Sequence, residues 1–244
     1  MAMKRIGLIG GMSWESTLEY YRLINRGVQA ALGGHHSAPC LIDSLDFAKI
    51  ETLQSEGRWD ETGELLADAA LALERAGAQG VILCTNTMHK VADRIVRELA
   101  IPFLHIGDAT AARIRAAGLN NVGLLGTRYT MEQAFYRDRL TAAGLSVITP
   151  DAEDRQVVNA VIYDELCLGR IEPASKGRYL DIIQRLADEG AEGVILGCTE
   201  IGLLVSQADT ALPLFDTTAI HAAAAVDFCL GAPTSVAATD LQPA

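Results

Sequence analysis

The stretch Gly193-Val194-Ile195-Leu196-Gly197-Cys198-Thr199-Glu200 decides the fold prediction. A short aliphatic run bounded by glycines is typical of a parallel strand that is buried on both faces. In a doubly wound α/β sheet, ligands bind beyond the carboxyl ends of the strands, which is where Cys198 falls. The thiol therefore belongs either to a reactive site or to the buried core, since free cysteine is among the most buried residue types.

The chain contains this pattern twice, together with two further landmarks in the same order. Such strings are common in α/β proteins, but three matches in register predict two similar halves. The matched pairs are Gly77–Leu83 with Gly190–Leu196, Gly7–Gly10 with Gly123–Gly126, and Ile101-Pro102-Phe103 with Leu212-Pro213-Leu214.

The predicted fold class is therefore α/β, with two similar halves that are doubly wound, contain parallel sheets and are related by a pseudo-dyad. Halves with little core each are expected to lie face to face, with the active site in the cleft between them. We predict a first domain of residues 1–109 plus 217–231 and a second of residues 110–216. Residues 232–244 are small, polar and Pro-containing, and are predicted to be a mobile tail.

Helices are predicted where apolar residues recur at helical spacing, and the predicted N-cap of the first is Ser13, with Ser16 as a second candidate. The predicted strands are Ile6–Ile9, Cys40–Ser44, Gly80–Leu83, Ile101–Leu104, Asn121–Gly126, Ser146–Thr149, the run before Cys198, and Leu212–Phe215. The predicted helices are about Trp14–Ala31, Asp60–Ala76, a segment ending near Leu99, Thr130–Ala143, Ala152–Leu168, Ala174–Glu189, a short one after Cys198, and Thr218–Leu230.

Composition narrows the class of protein. The net charge of −11 over 244 residues disfavours nucleic acid as a partner, because nucleic acid selects basic faces. No apolar run approaches the ~20 residues of a membrane span, and the amino terminus leads into a strand too short for a signal-peptide core. We therefore expect a cytoplasmic protein with no membrane partner. Five cysteines without a CxxC pair indicate neither a zinc site nor a disulfide framework, and their odd number suits a reduced compartment.

The repeat also selects a partner for Cys198. Aligning the halves without gaps places Thr85 opposite Cys198 and Cys84 opposite Gly197. Because neighbouring side chains on a strand point to opposite faces, we expect Cys84 to face the core and Thr85 the cleft. Sequence alone leaves the reverse arrangement open.

On these motifs the chain resembles the cofactor-independent aspartate/glutamate racemase superfamily over nearly all of Lys4–Leu230. Members usually show Cys-Asn-Thr at the middle motif, so matching Asn86-Thr87 gives Thr85 the place of the first catalytic cysteine and Cys198 that of the second. The closest resemblance is to the L-aspartate/glutamate-specific subgroup with a Thr/Cys pair. The residues that carry it are Gly10-Gly11-Met12-Ser13, Met12–Ser16, Thr85–His89, Gly126–Glu132 and Gly197–Glu200.

The resemblance implies a racemase that uses neither PLP nor a metal, acts on an amino acid, and forms a homodimer. Racemisation needs a base on one face of the α-carbon and an acid on the other, and a thiol can serve as both. We expect helix N-terminal amides to favour a Cys198 thiolate, whereas the Thr85 hydroxyl needs an adjacent base. Possible assisting residues are Glu200, His89 and Cys84; the implied substrate-binding residues are Met12, Ser13, Asn86, Thr87, Thr127, Thr130 and Thr199.

One departure from the family weakens the acidic-substrate interpretation. The resemblance calls for two cations that hold the substrate's side-chain carboxylate. Lys49 is the nearest cation in the first place, while Cys167 occupies the second, where Arg58 or Arg128 could substitute. A broad-specificity racemase, a one-thiol decarboxylase or isomerase of the same superfamily, and a non-catalytic amino-acid-binding protein remain alternatives. Gly7-x-x-Gly10-Gly11 lacks the spacing of a dinucleotide fingerprint.

Overall fold

The computed structural model describes residues 2–231, which form two compact units. One unit comprises residues 2–109 and 218–231, and the other comprises Thr110–Thr217. The predicted mobile tail, residues 232–244, lies outside the described residues. Between residues 2 and 231, no helix combines the length and the apolar character needed to cross a membrane.

Each unit contains a four-stranded parallel sheet flanked by helices. The strands are β1 Ile6–Gly10, β2 Cys40–Ser44, β3 Gly80–Leu83, β4 Phe103–Leu104, β5 Asn121–Gly126, β6 Ser146–Ile148, β7 Gly193–Gly197 and β8 Leu214–Asp216. The helices are α1 Trp14–Leu32, α2 Phe47–Ser55, α3 Trp59–Arg75, α4 Ala92–Glu98, α5 Ile106–Ala116, α6 Arg128–Glu132, α7 Ala134–Ala142, α8 Ala152–Asp164, α9 Pro173–Asp188, α10 Ile201–Leu204 and α11 Thr217–Leu230.

The two sheets have equivalent topology. Their strand orders are β2-β1-β3-β4 and β6-β5-β7-β8, with neighbouring strands parallel. In the first sheet Ile9 pairs with Leu83, and in the second Leu125 pairs with Leu196, which are the equivalent residues of the repeat. The α/β fold with two similar halves is thereby confirmed.

In the first unit, alternate residues of each strand pack against helices on opposite faces of the sheet. Leu8 and Ile82 lie with α1 and α11 in one cluster, while Ile9 and Leu83 lie with α2, α3 and α4 in another. This arrangement covers both faces of the sheet, which explains why its strands are continuously apolar. In the second unit, α8, α9 and α10 cover the face that includes Leu196.

The predicted strands are confirmed to within a few residues, but the helical predictions need correction. The helix predicted over Ala152–Leu168 ends at Asp164, and a separate 3-10 turn follows over Leu166–Leu168. Helices α2 and α5 were not predicted, although Asp46 provides an N-cap whose carboxylate accepts from the Ala48 amide. The single helix predicted over Thr130–Ala143 is two helices, because Gln133 is extended (φ −90°, ψ 150°) and interrupts the helical hydrogen bonds. The helix predicted to end near Leu99 begins as a 3-10 turn, Thr87–Val91.

A buried histidine in the first unit makes its stability depend on pH. The His221 ring accepts at Nδ1 from the Tyr20 hydroxyl (2.9 Å) and donates from Nε2 to the Leu104 carbonyl (2.8 Å). Burial lowers the pKa of His221 to about 4. An unfolded chain carries a histidine of pKa about 6.5, so between these values the unfolded chain binds a proton that the native ring does not. Stability therefore falls as the pH falls through this window.

We predict that lowering the pH from 7.5 to 5.0 removes about 2 kcal/mol from the unfolding free energy through His221 alone. Urea unfolding of the wild type and of His221→Gln at both pH values measures this loss. Over the same pH change, the unfolding free energy of His221→Gln should fall by about 2 kcal/mol less than that of the wild type. His35→Gln, which removes an exposed loop histidine, is the control and should behave as wild type. If the unfolding free energies of the wild type and of His221→Gln fell equally between pH 7.5 and 5.0, His221 would not be the cause of the pH dependence.

Candidate active site

The loop after β1 is held by glycine geometry and by one threonine. Gly11 has φ +88°, and a Cβ there would lie 2.1 Å from the Leu45 carbonyl oxygen, so a side chain cannot be accommodated. The Thr17 hydroxyl accepts from the Gly11 amide (2.8 Å) and donates to the Ser13 carbonyl (3.0 Å). Ser13 Oγ accepts from the Ser16 amide (3.3 Å), which confirms Ser13 as the N-cap of α1. Thr17 was not predicted, and its only sequence signal is its place one helical turn after the cap.

The loop after β3 lies beside this one. Ser16 Oγ donates to the Cys84 carbonyl (3.0 Å), and the Cys84 amide donates to the Ile9 carbonyl (2.9 Å). The Cys84 side chain packs in the core cluster with Ile82, and burial raises the pKa of its thiol far above the ordinary range. Thr85 follows at the strand end. The structure thus places Cys84 in the core, as expected.

His89 uses both ring nitrogens on the backbone of the first unit. Nε2 accepts from the Ile106 amide (3.2 Å), which fixes the ring proton on Nδ1, and Nδ1 donates to the Thr85 carbonyl (2.7 Å). His89 therefore links the loop after β3 to the start of α5. Of the two roles that the sequence left open for His89, assistance in proton transfer and orientation of neighbours, this geometry fits the second. Asn86 and Thr87 are buried in the same loop.

In the second unit, the ends of β5 and β7 approach each other closely. Gly126 pairs with Gly197, and a Cβ on Gly197 would lie 2.7 Å from the Leu125 carbonyl oxygen. Thr127 and Cys198 therefore leave neighbouring strands at the same level. Thr127 Oγ1 accepts from the Thr130 amide (3.3 Å) and caps α6.

Cys198 forms a buried pair with a carboxylate. Its Sγ donates to Glu200 Oε2 over 3.0 Å, and Thr199 Oγ1 donates to the same oxygen over 2.7 Å. All three side chains are buried. Burial first, then the negative charge of Glu200, raises the pKa of the Cys198 thiol well above its ordinary value.

This pair overturns the expectation of a resting thiolate. The helix after β7, α10, has four residues, and the nearest charge to the thiol is a carboxylate. A carboxylate disfavours a second negative charge beside it, which, together with burial, keeps Cys198 as the thiol. Tyr179 belongs to the same buried cluster; sequence gave no sign of it beyond its place on a helix face.

Thr85 and Cys198 occupy equivalent positions in their respective sheets. Thr85 lies two residues after Leu83, which pairs with Ile9 in the first sheet. Cys198 lies two residues after Leu196, which pairs with Leu125 in the second sheet. The ungapped alignment of the repeat therefore agrees with the strand register.

The candidate cations lie in different surroundings. Lys49 lies on α2 in a surface groove of about 490 Å³, lined also by Arg58, Glu61, Glu64 and Asp68. Arg58 pairs with Glu56 and Glu61, which neutralise it. Arg128, next to Thr127, donates to the Tyr129 hydroxyl over 2.8 Å. Across residues 2–231, no three His, Cys, Asp or Glu side chains are grouped to hold a metal ion.

A sequence profile of the Asp/Glu/hydantoin racemase family matches residues 9–225. The chain belongs to this family. A crystal structure from Yersinia pestis, provisionally described as an Asp/Glu racemase, is 56% identical and superposes with a TM-score of 0.88 over 93% of this chain and 100% of that one. An aspartate racemase homologue from Pyrococcus horikoshii OT3 is 38% identical, with a TM-score of 0.79 over 90% and 96%.

A curated relative points to the same class of enzyme. The broad specificity amino-acid racemase RacX from Bacillus subtilis (strain 168) is 28% identical over 170 residues, which cover 68% of this chain and 72% of RacX. The homologues of this chain are thus amino-acid racemases, which are isomerases.

We predict that Glu200→Gln lowers the pKa of Cys198, because it removes a neighbouring negative charge but keeps a hydrogen-bond acceptor of the same size. Since one pKa unit is a tenfold change in thiolate, alkylation of Cys198 by iodoacetamide at pH 8 should accelerate by about tenfold. Peptide mapping by mass spectrometry resolves Cys198 from Cys40, the internal standard in each sample. Glu132→Gln, at an exposed carboxylate, is the control.

An alkylation rate for Cys198 that is unchanged in Glu200→Gln would show that Glu200 does not control the thiol proton. Acceleration in both Glu200→Gln and Glu132→Gln would attribute the effect to general loss of charge.

Proposed function

We propose that this protein is a PLP-independent racemase that exchanges the α-proton of an amino acid by a two-base mechanism. Cys198 is the principal acid/base, and Thr85 acts on the opposite face of the α-carbon. The observation that carries the proposal is the buried Cys198–Glu200 pair at the end of β7, at the position equivalent to Thr85 at the end of β3.

Glu200 provides the proton acceptor that the buried Cys198 thiol needs in order to act as a base. Because the pKa of Cys198 is raised, the thiol acts as a base only after its proton has moved to an acceptor. The Glu200 carboxylate, 3.0 Å away, is that acceptor. The resulting thiolate takes the α-proton from the L enantiomer, and Thr85, or a water that it holds, delivers a proton to the other face. The planar intermediate gains one proton for the one it lost. To complete the cycle, Thr85 or its water regains a proton from solvent and the Cys198–Glu200 pair releases its extra proton to solvent, so no other reagent is consumed.

The residues at the strand ends would bind the substrate's α-carboxylate, where negative charge grows as the α-proton leaves. In the first unit these are Met12, Ser13, Asn86 and Thr87; in the second they are Thr127, Thr130 and Thr199. Ser13 and Thr127 also cap helices, and capping and ligand binding by one hydroxyl loop are compatible.

For the substrate we propose L-aspartate and L-glutamate within a wider range of amino acids. Arg128 supports the acidic substrates, because it follows Thr127 at the end of β5 and is a cation close to the proposed site. Lys49, in its acidic groove, is a weaker candidate for the side-chain carboxylate. The homology to RacX, described as a broad specificity enzyme, supports the wider range. We place the enzyme in the cytoplasm.

Incubation in D₂O with no added PLP tests the proposal. L-Aspartate, L-glutamate, L-alanine and L-lysine are followed by NMR for loss of the α-proton and by chiral chromatography for D product. The wild type should exchange the α-proton of at least one of them and form its enantiomer. Cys198→Ala should lose at least a hundredfold in rate, in line with loss of an acid/base group, while Cys84→Ala, in the core, should stay within about threefold.

Equal losses in Cys198→Ala and Cys84→Ala would overturn the residue assignment. Binding of an amino acid without exchange would favour a sensor, and CO₂ release from an arylmalonate would favour the one-thiol decarboxylase.

A further inference from the structure

The first turn of α1 carries two buried hydroxyls that the proposed reaction does not use. Ser16 is 3% exposed and Thr17 is 6% exposed. Ser13 caps the helix, so Ser16, the second candidate for the cap, has a different task. Burying a hydroxyl is unfavourable unless it is hydrogen-bonded, and each of these two is bonded to a loop that carries proposed site residues.

Thr17 closes the loop after β1. Its hydroxyl accepts from the Gly11 amide over 2.8 Å and donates to the Ser13 carbonyl over 3.0 Å, so one side chain holds both ends of the loop. A Cβ on Gly10 would lie 2.4 Å from Thr17 Cγ2, which means that this glycine makes room for the threonine. Met12 lies between the two bonded residues. Thr17 therefore fixes the loop that we propose binds the substrate's α-carboxylate.

Ser16 reaches the loop after β3. Its Oγ donates over 3.0 Å to the carbonyl of Cys84, which lies 68 residues further along the chain. That carbonyl belongs to the peptide group that joins Cys84 to Thr85, and because a peptide group is planar the bond also orients the Thr85 nitrogen and Cα.

The peptide group on the other side of Thr85 is held as well. The Thr85 carbonyl accepts from His89 Nδ1 over 2.7 Å. Ser16 and His89 thus hold the two peptide groups that flank Thr85. When both peptide planes are fixed, the φ and ψ angles of the residue between them are fixed, and so is the direction in which its side chain leaves the backbone.

We propose that Ser16 and Thr17 are positioning residues of the racemase: Ser16 directs the Thr85 side chain for proton delivery, and Thr17 shapes the loop that binds the α-carboxylate. This inference rests on the proposed function and extends it to two residues that act through their neighbours. A displacement of about 1 Å in a site can lower a rate about a hundredfold, so loss of either hydroxyl should be visible in the kinetics.

The two losses should differ in kind. Thr85 serves one face of the α-carbon, so a fault at Ser16 should affect proton delivery alone. The α-carboxylate must be bound for proton removal and for proton delivery, so a fault at Thr17 should affect both steps equally. A general structural defect would give the same pattern in both variants.

Ser16→Ala tests the link to Thr85 in D₂O with the L substrate that the wild type prefers. Deuterium in the recovered L substrate measures proton removal by Cys198 and should stay within about threefold of the wild type. D product should form at least about tenfold more slowly, because Thr85 has lost the contact that directs it. Ser175→Ala is the matched control, since Ser175 is a buried helical serine in the other unit, and both measurements should stay within about threefold.

Thr17→Val keeps the shape of the side chain and removes the hydroxyl. KM should rise at least about tenfold, and at low substrate concentration deuterium uptake and D product should fall in the same proportion. Thr17→Ser restores the hydroxyl and should return KM to within about threefold of the wild type. Thr62→Val is the matched control and should leave KM unchanged. Thr62 is buried on α3, and its hydroxyl likewise donates to the carbonyl four residues earlier, that of Arg58 (3.0 Å).

The outcomes separate this inference from the proposed function. A wild type that exchanges no α-proton would overturn the proposed function and the positioning roles with it. In an active wild type, three results would overturn the positioning roles and leave the proposed function intact: Ser16→Ala that changes exchange and D product equally or not at all, Thr17→Val with an unchanged KM, and Thr17→Ser no better than Thr17→Val. Circular dichroism verifies that each variant is folded.

Discussion

The hydrogen bond from the Cys198 thiol to the Glu200 carboxylate is the contact on which the site depends. Both groups are buried, and the thiol donates directly to the carboxylate over 3.0 Å. Strand β7 places Sγ at its carboxyl end, and the turn into α10 brings the carboxylate back to it within two residues. Thr199 donates to the same carboxylate oxygen and holds it in place.

The duplicated fold explains how such a site can arise. In each half the two central strands end at the same level. A polar or thiol side chain follows the second of these strands: Thr85 after β3 and Cys198 after β7. Similar strand ends need not have similar chemistry. Cys198 has a carboxylate partner, whereas the backbone of Thr85 is held by His89, whose ring N–H donates to the Thr85 carbonyl and whose other ring nitrogen accepts from the Ile106 amide. The halves share a scaffold and differ in the groups that surround the two strand ends.

Much of this architecture could be predicted because strand periodicity and glycine boundaries are local properties. The strands, the Ser13 cap and the equivalence of Thr85 with Cys198 all follow from short patterns. The break at Gln133 could not be predicted, since the residues on both sides favour a helix and tertiary packing decides between one helix and two. The protonation of Cys198 and the role of His89 depend on atoms that the fold brings together, Glu200 Oε2 in one case and the Ile106 amide in the other.

The most direct test of an unequal pair is to separate proton removal from racemisation. In Thr85→Ala, incubated in D₂O with the preferred L substrate, NMR and chiral analysis measure deuterium in the recovered L substrate and the amount of D product. Cys198 should still exchange the α-proton of the L enantiomer, while D product forms at least tenfold more slowly. Loss of exchange and of D product in equal measure would contradict the assignment of separate faces to the two residues.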